Sequence, residues 1–240
     1  RRSHFHVAVA GKPGTLCVMH AHPFRISTRW PAVLLALLAV LWLNPHATAQ
    51  LGARSTEQWL KTLDSANRVA KLKIDEAIAA LKLSPDSVVA DIGAGSGTFT
   101  VPLAKAVAGG GKVYAVDIEQ GLVDHIAQRA KEQKATNVQA VLGKFTDPNL
   151  PARDVDMAFI FDVLHHIDDR AGYLKNLAPY LKKAGRIAVI DFHPELGPHK
   201  GDPALQVTRE QSKAWMAAIG FKPVAEPALY TDKWFVVYSR

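Results

Sequence analysis

Cysteine is nearly absent from this 240-residue chain: Cys17 stands alone, and none follows Gln50. That excludes a disulfide framework, a thiolate metal centre and a cysteine nucleophile from most of the chain. Acidic residues are missing from the same front end. Residues 1–49 carry five of the 29 Lys/Arg and none of the 22 Asp/Glu, so the formal charge of +7 belongs mostly to that segment. The body from Gln50 sets 24 basic against 22 acidic side chains. A near-neutral body lacks the clustered basic face that nucleic-acid binding needs, which disfavours that partner. Two phosphate-binding strings are also missing, the P-loop G-x-x-x-x-G-K-[ST] and the dinucleotide turn G-x-G-x-x-G. No Tyr has a Lys four residues later, so the catalytic pair of a short-chain dehydrogenase is absent. There are no internal repeats or low-complexity tracts.

What the front end does contain is the pattern of an export signal. With Met19 read as the start, Arg25 and Arg29 precede the apolar run "PAVLLALLAVLWL" at 31–43, and Ala47-Thr48-Ala49 offers a small-x-small cleavage site. The apolar run is shorter than the roughly 20 residues that span a bilayer comfortably. Export to a bacterial periplasm with cleavage after Ala49 is the expectation. An uncleaved inner-membrane anchor through 31–43 and a buried N-terminal helix are the alternatives. Residues 1–49 are thus set apart as upstream sequence plus signal peptide or anchor, 50–84 as a helical segment, and 85–240 as the ligand-binding domain.

In the body, residues 55–83 read as helix, opened by a capping box of Ser55 and Gln58. Beyond Pro85, apolar runs and helical patterns alternate. Strands are predicted at 88–92, 113–116, 138–142, 155–161 and 187–192, with helices at 99–108, 120–133 and 170–181 between them. Strands apolar along their length and separated by helices imply a parallel sheet covered on both faces. A second capping box, Thr208 with Gln211, starts a helix that Gly220 stops. Two strands then follow without an intervening helix, and a hairpin adds an antiparallel member to the sheet.

The first strand runs into "VVADIGAGSGTFT", with Gly93, Gly95 and Gly97 at alternate positions behind Asp91. Glycines let the backbone turn tightly at a strand end and let a ligand approach it. Asp91 suits a cationic ligand group better than a pyrophosphate. The next strand ends at Asp117, where a carboxylate can accept both hydroxyls of a ribose; the competing reading is a carboxylate stabilised by a helix dipole. Four stretches in order, "VVADIGAGSGTFT", "KVYAVDIE", "DVDMAFIFDVLHHIDD" and "LKKAGRIAVIDF", closely resemble the class I S-adenosylmethionine-dependent methyltransferases, more narrowly the small type 11 kind. The resemblance covers about residues 55–240. It implies an α/β, Rossmann-like, doubly wound seven-stranded sheet, mostly parallel with an antiparallel C-terminal strand, and S-adenosyl-L-methionine as cofactor. By position it implies that Asp91, Gly93, Gly95 and Gly97 surround the methionine part and that Asp117 holds the ribose. Lys144 and Phe145 would lie near the adenine, and Asp162 would line the methyl donor. Lys144 stands where many relatives carry an Asp, and a lysine only donates.

Methyl transfer from a sulfonium needs alignment and sometimes a base, so the fold leaves the catalytic residue open. The missing cysteines argue against thiolate-assisted arsenic or cytosine C5 chemistry. The fourth strand also lacks the N-P-P-[YF] string of amino-group methyltransferases. A small-molecule methyl acceptor is the expectation. An exported binding module that keeps the fold without turnover is the alternative. Of the five body histidines, His165, His166, His193 and His199 follow the fourth and fifth strands, where they should gather at the ligand-binding edge. His165, as the residue nearer the strand end, is placed ahead of His166 as a general base. Packing under the next helix and a bound divalent metal are the other readings, and no metal ligand is assigned. The stretch 194–203 reads as a substrate lid or as a surface loop.

Overall fold

The computed structural model describes residues 54–240; the segment read as a leader lies outside them. Three short helices come first: α1 (Thr56–Leu63), α2 (Ala66–Val69) and α3 (Ile74–Leu81). The α/β alternation follows as β1 (Val88–Ile92), α4 (Thr100–Ala106), β2 (Lys112–Asp117), α5 (Gln120–Glu132) and β3 (Val138–Leu142). Then come β4 (Val155–Phe161), a 3-10 turn (Leu164–His166), α6 (Arg170–Leu177) and β5 (Leu181–Phe192). The chain ends with α7 (Arg209–Ala218), β6 (Lys222–Ala225) and β7 (Lys233–Ser239).

The seven strands are ordered β3-β2-β1-β4-β5-β7-β6. The first five are parallel, and β7 runs antiparallel between β5 and β6. This is the expected doubly wound sheet. The central strands alternate between two apolar cores. Val88, Ala90, Ile92, Ile187, Val189, Val236 and Tyr238 face α6 and α7, while Val89, Phe159, Ala188, Ile190 and Val237 face α3 and α4. Each of these strands is buried on both sides, so it shows no polar alternation in sequence.

The single helix expected over 55–83 is a correction: the chain breaks at Asp64–Ser65 and again before Lys73, whose φ of +47 is left-handed. Both breaks serve tertiary contacts. Asp64 turns toward the glycine loop, and Lys73 Nζ donates to the Leu229 carbonyl at 2.8 Å. The helix expected over 170–181 ends at Leu177, before Pro179, and β5 starts earlier than read. No helix among the described residues is long and apolar enough to cross a membrane.

Candidate functional site

The sheet reverses its winding direction between β1 and β4, and there the loops at the carboxyl ends of the strands diverge and leave a crevice. A cavity of about 270 Å³ occupies it. The β1 loop supplies Gly93 and Gly95, the β2 end Asp117, the β3 loop Lys144 and Phe145, and the β4 end Asp162 and His166. Trp59, Leu63 and Arg68 close it from the N-terminal helices.

The glycine turn is built by conformation. Gly93, Gly95 and Gly97 have φ of +69°, +59° and +76°, a region that costs other residues about 1–2 kcal/mol each. A Cβ on Gly93 would run into Val163 of the β4 loop, so the turn packs directly on the opposite side of the crevice. Asp117 braces it: Gly95 N donates to Asp117 Oδ2 at 2.9 Å and Glu119 N to Oδ1 at 3.1 Å. Burial pushes the Asp117 carboxyl up, against the backbone donors that pull it down.

The turn is also clamped from outside. Ser96 Oγ and Thr98 Oγ1 donate to Asp64 Oδ1 at 2.7 and 3.1 Å, and Arg129 Nη1 reaches the same oxygen at 3.2 Å and the Ser96 carbonyl at 2.9 Å. Burial raises the Asp64 carboxyl, but the hydrogen bonds from Ser96 and Thr98 and the Arg129 charge outweigh it and hold it below its ordinary value. Asp64, Arg129, Trp59 and Arg68 were missed in the sequence, where they read as ordinary positions on amphipathic helices. The Asp64-Ser65 pair interrupting a helical pattern was the one available signal.

Of the residues expected at the ligand, Gly93, Gly95, Asp117, Lys144, Phe145, Asp162 and His166 line the cavity. Asp91 and Gly97 do not. Asp91 is buried behind the turn, where it accepts from Thr100 Oγ1 at 2.6 Å, and burial raises its pKa to about 7. Its carboxyl therefore anchors the start of α4 and does not line the cavity. Gly97 packs toward Ile126 and Arg129.

Asp162 leaves β4 with φ +55, its N–H donating to the Ile190 carbonyl at 2.9 Å, and this turn aims its carboxyl into the cavity. Arg68 Nη2 and Lys233 Nζ stand 3.8 and 3.9 Å away, too far to hydrogen-bond. Burial raises its pKa to about 7 against those two cations. Among the described residues, two cavity-lining side chains have a buried polar atom without a partner, Asp162 Oδ1 and Trp59 Nε1. One is an acceptor and one a donor. Such groups are costly unless something completes them.

The two adjacent histidines placed as base candidates point to different sides of the β4 loop. His165 is 4% exposed and turned away from the cavity, its Nδ1 2.6 Å from Asp191 Oδ1. Asp191 Oδ2 also accepts from the His165 N–H at 3.1 Å, so the strand-end carboxylate captures His165 in the 3-10 turn and leaves His166 on the cavity side. His166 is the histidine on the cavity wall. Burial and the adjacent His165 and His199 lower its pKa to about 4. It is neutral at pH 7 but a weak base. His193 and His199 lie on the β5 side, and residues 194–203 form a turn-rich loop that does not line the cavity.

This strand order and switch-point cavity define a Rossmann-like fold of the methyltransferase kind, and the comparisons agree. Residues 89–185 match the family model described as a methyltransferase domain. A SAM-dependent methyltransferase from Aquifex aeolicus superposes with a TM-score of 0.70 at 20% identity, over 77% of this chain and 98% of that one. A demethylmenaquinone methyltransferase of Geobacillus sp. (strain WCH70) is 26% identical over 101 residues, 42% of this chain and 43% of that protein. The ribosomal RNA small subunit methyltransferase A of Thermotoga neapolitana is 41% identical over 91 residues, 38% of this chain and 30% of that protein. The chain thus spans less than half the length of the curated relatives it matches.

Proposed function

We propose that this chain binds S-adenosyl-L-methionine in the β1/β4 crevice and transfers its methyl group to a small-molecule acceptor. The observation that carries the reading is the cavity wall itself: a glycine turn braced by buried Asp117, facing an Asp162 carboxylate oxygen and a Trp59 N–H that have no partner among the described residues. The residues present fit the cofactor. Asp117 keeps acceptor capacity for ribose hydroxyls, Asp162 offers a carboxylate to a cationic group, and Phe145 and Lys144 flank the outer end. When bound, S-adenosylmethionine supplies an electrophilic methyl group on a sulfonium.

The protein's part is alignment and exclusion of water. Trp59, Leu63, Phe161, Ile167 and Tyr173 give the cavity a mostly apolar wall, which suits a planar, weakly polar acceptor. The similarity to a demethylmenaquinone methyltransferase supports that class. The near-neutral body weighs against RNA, the substrate class in the name of the ribosomal RNA relative.

Calorimetry on the purified full chain tests this. Micromolar binding of S-adenosylmethionine or its demethylated product is expected. Asp117→Ala should weaken it about 10- to 100-fold, the worth of one charged hydrogen bond at about 1.5–3 kcal/mol. Absence of binding at millimolar ligand overturns the proposal. The export reading of 1–49 belongs to the same proposal and rests on sequence alone. An intact mass beginning at Gln50 in the producing cell supports it, and a mass retaining the residues before it overturns cleavage.

A further inference from the structure

His165, His166 and His199 come together from two loops. His165 and His166 sit on the 3-10 turn after β4, and His199 on the loop after β5. Their ring centroids are 4.1, 5.0 and 5.4 Å apart pairwise. One imidazole nitrogen from each lies within 4.8 Å of the others. Of the three rings only His165 makes a side-chain hydrogen bond among the described residues, through Nδ1 to Asp191. That bond leaves its Nε2 for another partner.

We propose that these three histidines form a divalent transition-metal site of zinc type in the wall between the main cavity and a small pocket beside it. His166 lines the cavity, whereas His165, His199 and Asp191 line the small pocket, whose volume of about 10 Å³ is at the lower limit for one water-sized occupant. Three neutral imidazoles with an open fourth position are a zinc donor set, and imidazole also suits Cu, Fe and Ni. At a Zn–N length of about 2.0–2.1 Å, tetrahedral ligand atoms lie about 3.3 Å apart, so the cluster contracts on loading. His199 can make that move, because it stands on a half-exposed loop. Asp191 takes the place of the carboxylate that orients a ligating histidine from behind.

The surrounding hydrogen bonds hold the two loops in register. Arg170 Nη2 donates to the His165 carbonyl at 2.8 Å and to the Ala204 carbonyl beyond His199 at 2.5 Å. Gln206 Nε2 donates to the His199 carbonyl at 2.9 Å. The open position, on the His166 side, would take water or an oxygen of the methyl acceptor. That use rests on the methyltransferase reading; the metal binding does not.

The test is a Zn²⁺ competition titration and a Co²⁺ visible spectrum on the metal-stripped full chain. Five further histidines and Cys17 lie in residues 1–49, so the assignment rests on differences between variants. His199→Ala and His166→Ala should each lower affinity about tenfold or more and abolish the Co²⁺ bands. His193→Ala, on the neighbouring loop, should match the wild type. His199 lies outside both apolar cores, so its loss leaves the fold intact, and circular dichroism checks this. Wild-type affinity in the folded His166→Ala/His199→Ala double variant overturns the site, as does an equal loss in His193→Ala. S-adenosylhomocysteine calorimetry on the same preparations separates the two proposals. Metal binding absent with nucleoside binding kept overturns the metal site alone. The converse overturns only the cofactor reading.

Discussion

Asp162 is the residue at which conformation, burial and charge conflict most. Folding keeps its proton to about pH 7, whereas the unfolded chain releases it near 3.8. Between those values the unfolded state binds fewer protons, so this group makes stability fall as pH rises from about 4 to 7. Asp162→Asn removes that slope and tolerates the left-handed backbone. The variant's stability relative to wild type, measured by denaturant melts, should therefore rise across that window. The rise amounts to a few kcal/mol at most, at about 1.4 kcal/mol for each pH unit. A difference that is flat in pH would sink this account. Gly93 is strained in another way. Gly93→Ala adds a left-handed penalty to a collision with Val163, about 2–4 kcal/mol together. A double-mutant cycle with Val163→Ala should show coupling, because the smaller side chain relieves the collision and leaves the φ penalty.

At the scale of elements, what matters is how the N-terminal helices reach the glycine turn. Asp64 ends α1 and accepts from Ser96, Thr98 and Arg129, joining α1, the turn and α5 in one polar knot. The knot is partly exposed and therefore screened, so Asp64→Ala should cost only about 1 kcal/mol of global stability. Its larger effect should be local: faster hydrogen exchange over α1–α3 and weaker cofactor binding, as the wall carrying Trp59 and Leu63 loosens. Unchanged exchange in those helices would show that they are held by other contacts. The strands were legible because most of their residues are apolar in short runs between turn signals, and Val88–Ile92, Val138–Leu142 and Val155–Phe161 form with the bounds read from sequence even though each carries one polar residue, Asp91, Gln139 and Asp156. The break at Asp64 was not legible. Its cause is a set of donors more than thirty residues away, and no local pattern encodes that.

For the molecule as a whole, charge and topology bear on the partner. The body is nearly neutral, so RNA should compete poorly for the crevice. Filter binding of a ribosomal RNA fragment should show only weak association. Tight binding with a steep salt dependence would instead favour a nucleic-acid acceptor. The sheet order places the carboxyl ends of β1, β2 and β4 side by side, and so gathers residues from Gly93 to His166 around one cavity.

Sequence alone determined the α/β alternation, the hairpin that ends it, the glycine turn and Asp117 at the next strand end, because apolar period and turn chemistry are local properties; Asp162 entered only through the family resemblance. Tertiary structure decided which of those residues line the cavity. It turned Asp91 onto Thr100 behind the turn, gave His165 to Asp191 and left His166 on the wall, and brought His199 to the pair. Burial and hydrogen bonding between distant segments set those directions, and both depend on neighbours that only the folded chain assembles.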